Sequence, residues 1–187
     1  MTKTQTIHKE YLDDQYRDYD GEVMIQKHDN YSYWIGRLLL SFSELESGID
    51  YLLLELISDR AHEVGYQTIK YFKYKQKILF LRDNYNSLLR ICLKKPKLEK
   101  FLKLVEKQHK VLSDIGEFRN SVCHAEWNTL DKNGMVKTKV RQDTGGVFFF
   151  KKRITCKGLY NMSRKSDSVY NSLESFHEKI LDVTLRK

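Results

Sequence analysis

The most regular hydrophobic pattern in the chain lies between residues 35 and 56. Apolar residues recur there at alternating spacings of three and four. They are Ile35, Leu38, Phe42, Leu45, Ile49, Leu52 and Leu56. That spacing places one apolar stripe along a helix, and it predicts a long amphipathic helix over about residues 29–58.

Three further stretches show a helical period. A second helix is predicted from Glu63 to about Cys92, and its less regular spacing near Tyr74–Gln76 is consistent with a kink or break. Pro96 ends that helix, because the residue before a proline is pushed out of the helical region, and it opens a third helix that runs to about Glu126. A last helix is predicted from Leu159 or Ser163 to Leu185.

The period changes after Trp127. The pair Asn133-Gly134 is a strong turn signal, and the segments Met135–Val140 and Val147–Thr155 are rich in β-branched and aromatic residues, with two glycines between them. These features predict a small β-hairpin over about residues 128–156. The fold class that follows is predominantly all-α, an antiparallel four-helix bundle with a β-hairpin inserted before the last helix.

Composition adds a domain organisation and an expected compartment. The chain has 187 residues, which suits one domain over residues 29–187 preceded by a polar, acidic arm over residues 1–28. Three widely spaced cysteines form no CxxC pair and no zinc pattern, so we expect neither disulfides nor a metal or other cofactor. No apolar run is long enough to span a bilayer and no signal-peptide core is visible, so we expect a cytoplasmic protein without membrane contact.

Charge is distributed unevenly along the chain. The net charge is +8, but residues 1–60 hold 6 Lys and Arg against 12 Asp and Glu, and residues 70–110 hold 13 basic against 3 acidic residues. A basic stretch of that density attracts a polyanion. The simpler interpretation, a solvated lysine-rich helix surface, is equally compatible with the sequence.

One short segment carries candidate chemistry. The chain contains no P-loop, no GxGxxG, no GxSxG and no HExxH pattern. The exception is the segment Glu117–His124 near the end of the third predicted helix. At about 100° per residue, Asn120 and His124 lie on one side of that helix, nearly opposite the apolar stripe that includes Phe118 and Val122.

The run Arg119-Asn120-Ser121-Val122-Cys123-His124 resembles the Arg-x4–6-His motif of HEPN domains, in the form that begins Arg-Asn and continues His-Ala. The helical layout over about residues 29–186 is similar to that family as well. The resemblance implies a metal-independent endoribonuclease that works as a homodimer, with two motifs facing each other in one composite site. It also implies a toxin–antitoxin or phage-defence role, with RNA as substrate and an antitoxin or regulatory protein as a further partner.

The residue types suggest a role for each side chain. His124 exchanges the protons, because histidine titrates near neutral pH, and Arg119 stabilises negative charge on the phosphate. Asn120 holds a phosphate oxygen or orients His124, and Glu117 is a candidate helper that pairs with the motif of the partner chain. Lysines of the basic stretch are the candidate RNA contacts: Lys73, Lys75, Lys77, Lys107 and Lys110.

Two other functions remain open at this point. A non-catalytic HEPN-like module would bind nucleic acid, a nucleotide or a partner protein without cleaving anything. A structural protein would carry Arg119 and His124 by coincidence and use the stripe of its first helix as an oligomer seam. Glu117 is equally compatible with a solvated surface residue, and nothing in their surroundings distinguishes His62 and His177 from surface histidines.

Overall fold

The computed structural model describes residues 21–57, 62–124, 130–131, 134–143 and 146–185. Over these ranges the chain is predominantly helical. The helices are α1 (Gly21–Ile57), α2 (His62–Ile69), α3 (Tyr74–Cys92), α4 (Lys97–Cys123) and α5 (Cys156–Leu185). Of the helices within these ranges, none combines the length and the apolar character that a membrane crossing requires.

The stretch in which the sequence leaves the helical period lies between α4 and α5. It contains the strands β1 (Leu130–Asp131), β2 (Gly134–Asp143) and β3 (Gly146–Ile154), in the order β1-β2-β3. Both pairings are antiparallel, and the register of β2 with β3 runs from Met135 opposite Ile154 to Asp143 opposite Gly146. The connecting residues 125–129, 132–133 and 144–145 lie outside the described ranges.

The first helix begins earlier than its apolar stripe. Residues 21–28, which the sequence assigned to the acidic arm, belong to α1, so the predicted start of the first helix at about residue 29 is wrong. The segment from Glu22 to Lys27 contains no proline or glycine, and its Glu, Met, Gln and Lys residues have high helix propensity. The backbone is therefore helical there although no apolar stripe is present. The rest of the predicted arm, residues 1–20, lies outside the described part of the chain.

The second predicted helix is divided into α2 and α3. The break covers residues 70–73, a few positions before the irregular spacing at Tyr74–Gln76. Lys73 has an extended backbone (φ −71°, ψ 154°), and its N–H donates to Oε1 of Gln76 at 2.8 Å. The Gln76 side chain thereby satisfies a backbone donor at the start of α3, as glutamine does in a capping box.

The chain divides into two compact units. Unit 1 comprises Met1–Leu39 and Arg119–Ser163, and unit 2 comprises Leu40–Phe118 and Arg164–Lys187. Each unit contains a segment of α1, of α4 and of α5.

In unit 1, α1 packs against the end of β3 and the start of α5. The hydroxyl of Tyr31, a buried residue, donates to the carbonyl oxygen of Ile154 at 2.8 Å, and the rings of Trp34 and Tyr160 meet edge to face. Leu38 and Leu159 of the same unit are fully buried. One hydrogen bond and one aromatic pair therefore fix the last strand and the start of α5 to the first helix.

In unit 2, four helices contribute to one apolar core. It buries Phe42, Leu45, Ile49 and Leu52 of the stripe predicted for the first helix, whereas Leu56 of that stripe is half-buried. The buried apolar residues are Phe42, Leu45, Ile49, Leu52 and Leu53 from α1, Ile78, Leu81, Tyr85 and Leu89 from α3, Val105, Leu112 and Ile115 from α4, and Val169, Leu173, Phe176 and Ile180 from α5. Ile69 of α2 is fully buried as well.

A buried lysine connects α3 to α1 within this core. Nζ of Lys77 lies 2.7 Å from Oδ2 of Asp50 and 3.0 Å from Oε1 of Glu46. Burial lowers the pKa of Lys77, but its hydrogen bonds to the two carboxylates outweigh that effect and leave the pKa raised. Burial raises the pKa of Asp50, against the opposing pull of the ammonium.

This arrangement corrects one of the sequence-based assignments. Lys77 is one of the five candidate RNA contacts, but only 7% of the residue is exposed and its ammonium is bonded to two carboxylates of its own chain. Phosphate would have to displace both carboxylates to reach it. We therefore remove Lys77 from the candidate RNA-binding set.

Two glycines allow aromatic rings to approach helix backbones closely. The Tyr74 ring lies directly over Gly116 of α4, and its hydroxyl donates to the carbonyl oxygen of Leu112 at 2.9 Å. The Tyr170 ring covers Gly48 of α1 in the same way. A Cβ at either glycine would overlap the ring, so the absence of a side chain sets how closely α3 and α5 approach these helices.

We expect Gly116→Ala to destabilise the protein by about 1–3 kcal/mol, because the new methyl group displaces the Tyr74 ring from its packed position. Urea denaturation followed by circular dichroism measures the effect. Gly36→Ala is the matched control, since Gly36 also lies in a helix but a Cβ added there would meet nothing within 4 Å. Equal stability losses for the two variants would contradict the close-packing argument.

We expect Lys77→Met to lower the free energy of unfolding at pH 7 by about 1–3 kcal/mol, because Asp50 and Glu46 lose the cation that compensates their burial. Without the ammonium the pKa of Asp50 rises further, so the native state gains a proton as the pH falls and the deficit shrinks between pH 7 and pH 4. Urea denaturation across this range tests both statements. Lys75→Met, at an exposed position, is the control, and a deficit that does not change with pH would contradict the assignment.

Candidate functional site

The candidate site lies at the C-terminal end of α4. Arg119 and Asn120 belong to the last turns of the helix, which ends at Cys123, and His124 follows directly. The backbone N–H of His124 donates to the carbonyl oxygen of Asn120 at 3.1 Å, so the helical hydrogen-bond pattern continues to this residue. The backbone of all three residues is therefore fixed by helical geometry.

The rotation of α4 determines which of these side chains face solvent. Val122 is fully buried, whereas Asn120 and His124 are exposed and Arg119 is half-buried. This burial pattern agrees with the side of the helix that the periodicity predicts for Asn120 and His124. An exposed imidazole four residues from an exposed amide forms a polar face that a ligand can reach.

Arg119 and Asn120 interact directly. Nη1 of Arg119 donates to Oδ1 of Asn120 at 3.1 Å. The sequence suggested that Asn120 holds a phosphate oxygen or orients His124, and that role stays a prediction; the structure shows its carbonyl oxygen bonded to the guanidinium. Asn120 therefore restricts the orientation of Arg119. The Arg119 side chain then loses less conformational entropy when an anion binds to it.

Glu117 lies in unit 2, whereas the other three candidate residues lie in unit 1. It is exposed, and its Oε1 accepts a long hydrogen bond of 3.5 Å from the Ser113 hydroxyl one turn earlier. Nothing in this bond prevents the carboxylate from reaching another partner, and its role as a helper toward a second chain stays a prediction.

The remaining lysines of the candidate RNA-binding set are exposed. Lys73 directly precedes α3, Lys75 lies in its first turn, and Lys107 and Lys110 lie on α4. Lys110 also forms an exposed ion pair with Asp114, with 3.6 Å between Nζ and Oδ1. A pair of this kind contributes little and a phosphate group can replace it.

Two further lysines belong to the same face of α4, although the sequence reasoning did not single them out. Lys100 and Lys103 are exposed and precede Lys107 and Lys110 at spacings of three and four. We refer to these four residues as the lysine face of α4. The helical spacing that identified the apolar stripes would have found this face if it had been applied to basic residues.

A buried polar group that the sequence did not predict lies in unit 2. The sequence did not distinguish His177 from a surface histidine, but the residue is only 2% exposed. Its ring nitrogens lie 2.8 Å from the Tyr85 hydroxyl and 2.9 Å from a carboxylate oxygen of Glu55. His177 is four residues after Leu173 and three before Ile180, so its helical position at the edge of the apolar stripe was the available signal.

Among the described side chains, no three His, Cys, Asp or Glu residues lie close enough together to hold a metal ion. None of the three cysteines forms a disulfide; Cys123 is exposed, and Cys92 and Cys156 are half-buried.

Comparison of the chain with protein-family models, with curated proteins and with solved structures gives no match.

Proposed function

We propose that this protein is a metal-independent endoribonuclease of the HEPN type. The observation that carries the proposal is the end of α4, where Asn120 and His124 are exposed and Arg119 is held by Asn120 at 3.1 Å. A guanidinium and an imidazole beside an accessible surface are the groups that cleavage of a phosphodiester requires when RNA supplies its own nucleophile.

The proposed reaction is an attack by the ribose 2′-hydroxyl on the adjacent phosphorus. The 2′-oxygen forms a bond to phosphorus as the bond to the 5′-oxygen breaks, which gives a 2′,3′-cyclic phosphate and a 5′-hydroxyl. One imidazole removes the proton of the 2′-hydroxyl, and another protonates the leaving 5′-oxygen. Arg119 stabilises the charge that develops on the phosphate oxygens.

A homodimer supplies the second imidazole. The base and the acid act on opposite sides of the phosphorus, and one chain brings a single His124 to the motif. Two copies with their motifs facing each other would surround the scissile linkage with two imidazoles and two guanidinium groups. The exposure of Asn120 and His124 supports this arrangement, because both side chains are accessible to a second chain.

The same proposal includes the finer features of the fold and the biological role. We infer that the long helices form an antiparallel four-helix bundle of the HEPN kind, with the β-hairpin as an insertion before the last helix. We infer a cytoplasmic toxin–antitoxin or phage-defence nuclease, whose activity an antitoxin or another regulatory protein restrains.

We expect His124→Ala to lower the rate of RNA cleavage by at least about 100-fold, because proton transfer by a positioned side chain contributes that much or more. A gel assay with end-group analysis should show 2′,3′-cyclic phosphate and 5′-hydroxyl ends, and EDTA should leave the rate unchanged. His28→Ala, at an exposed position of α1, is the matched control. Equal cleavage by wild type and His124→Ala would contradict the proposal, as would an equal loss in His28→Ala.

The alternative is a HEPN-like module that binds nucleic acid, a nucleotide or a partner protein and cleaves nothing. The lysine face of α4 favours nucleic acid within this alternative, because four exposed ammonium groups recur along one side of a helix. Such a module would bind RNA with a strong salt dependence and would release no product after long incubation.

We expect Lys107→Gln/Lys110→Gln to weaken binding of single-stranded RNA and to reduce the slope of log K against log salt concentration by about 0.7 for each lysine removed. Fluorescence anisotropy in the His124→Ala background measures binding without cleavage. Lys157→Gln/Lys179→Gln removes the same charge from exposed positions of α5 and serves as the control. An unchanged salt slope in the α4 variant would exclude these lysines from the RNA-binding surface.

A further inference from the structure

Three side chains from three helices form a polar cluster in unit 2. Glu55 comes from α1, Tyr85 from α3 and His177 from α5. The Tyr85 hydroxyl lies 2.8 Å from Nδ1 of His177, and Nε2 of His177 lies 2.9 Å from Oε2 of Glu55. Tyr85 and His177 are each 2% exposed, whereas a third of the Glu55 side chain reaches solvent.

The chemistry of the two neighbours fixes where the protons are. An ionised carboxylate only accepts hydrogen bonds, so Nε2 of His177, 2.9 Å from Oε2 of Glu55, is the ring nitrogen that carries the proton. Nδ1 is then the acceptor, and the Tyr85 hydroxyl donates to it. Burial raises the pKa of Tyr85, which keeps the phenol protonated and able to donate.

A second proton on the imidazole would break this arrangement. Nδ1 would become a donor to the phenolic oxygen, so the phenolic hydrogen of Tyr85 would lose its acceptor in a buried site. Burial lowers the pKa of His177, against the opposing attraction of Glu55 and Glu178. The neutral imidazole is therefore the form that the native packing requires.

Other titratable groups lie near the cluster of Glu55, His177 and Tyr85. On α1, Tyr51 hydrogen-bonds to Glu55. The groups that face it from the other helices are Glu174 and Glu178 on α5 and, beside Tyr85 in a small cavity, Arg82 on α3 and His109 on α4. Burial and the charge of Arg82 lower the pKa of His109, so His109 is a second acid-sensitive group that an experiment must separate from His177.

We propose that Glu55, His177 and Tyr85 form an acid-sensitive latch that holds α1, α3 and α5 of unit 2 together only while the imidazole is neutral. Uptake of a second proton by His177 weakens the latch, because it leaves the buried phenolic hydrogen of Tyr85 without its acceptor, and unit 2 loosens at mildly acidic pH. The latch is independent of RNA cleavage, because none of its three residues belongs to the candidate site.

The first test uses the wild-type protein and needs no variant. Long-range nitrogen-15 NMR of the imidazoles should show His177 as the neutral tautomer protonated at Nε2 while the protein is folded. If His177 takes up its second proton above pH 6.5 while the native spectrum is otherwise unchanged, the latch does not exist.

The second test compares urea denaturation at pH 7.5 and pH 5.5. Because the pKa of His177 is lower in the native state than in the unfolded chain, the unfolded chain takes up the proton first as the pH falls. The contribution of His177 to the free energy of unfolding is therefore complete above the ordinary histidine pKa of about 6.5 and decreases below it. This one imidazole then lowers the folding equilibrium constant by up to about tenfold at pH 5.5. His177→Gln should abolish that loss, and the exposed His28→Gln should retain it.

Two further variants make the result specific. The whole series is repeated in a His109→Gln background, which removes the contribution of the other acid-sensitive histidine. Tyr85→Phe removes the hydroxyl that donates to unprotonated Nδ1. This variant should therefore lose less stability between pH 7.5 and pH 5.5 than the matched variant Tyr71→Phe, which changes an exposed tyrosine. An acid sensitivity of His177→Gln equal to that of wild type would overturn the latch, and if His177→Gln does not fold, the wild-type spectrum decides.

Discussion

The rotation of α4 about its own axis is the constraint on which the candidate site depends. Leu112, Ile115 and Val122 are almost completely buried, and they leave the helix one orientation in which its apolar residues are covered. Because successive residues differ by about 100°, that orientation also determines that Asn120 and His124 face outward. Within unit 2, the contact between the Tyr74 ring and Gly116 allows α3 to pack closely against α4.

Two buried basic side chains in unit 2, Lys77 and His177, differ in the charge state that their surroundings favour. Lys77 stays charged, because two carboxylates at 2.7 and 3.0 Å compensate the loss of water around its ammonium. His177 has a carboxylate at 2.9 Å and a phenol on its other side. Burial lowers the pKa of His177 against the attraction of Glu55 and Glu178, and the Tyr85 phenol uses the neutral ring as its acceptor, whereas for Lys77 the hydrogen bonds to two carboxylates outweigh burial.

The sequence predicted the features that depend on short-range periodicity. The stripe of α1 and the outward side of α4 follow from spacings of three and four, because burial requires those spacings in any helix of this kind. The start of α1 and the partners of Lys77 do not follow from spacing. Glu46 and Asp50 precede Lys77 by 31 and 27 residues, so the ion cluster exists only once α1 and α3 have packed. The same holds for His177, whose two partners come from two other helices, and for the bond of Arg119 to Asn120, which depends on side-chain rotamers.

The bond between Arg119 and Asn120 changes how a phosphate would be recognised at the end of α4. A mobile arginine side chain loses about 2 kcal/mol of rotamer entropy when it is immobilised, and a guanidinium already restrained by a neighbouring amide loses less on binding an anion. The carbonyl oxygen of Asn120 bears no formal charge, so it orients the guanidinium without neutralising the positive charge that would attract a phosphate. An aspartate at position 120 would hold the guanidinium as well, but it would repel the same anion. The amide is therefore the side chain that combines restraint of the arginine with an undiminished electrostatic attraction for phosphate.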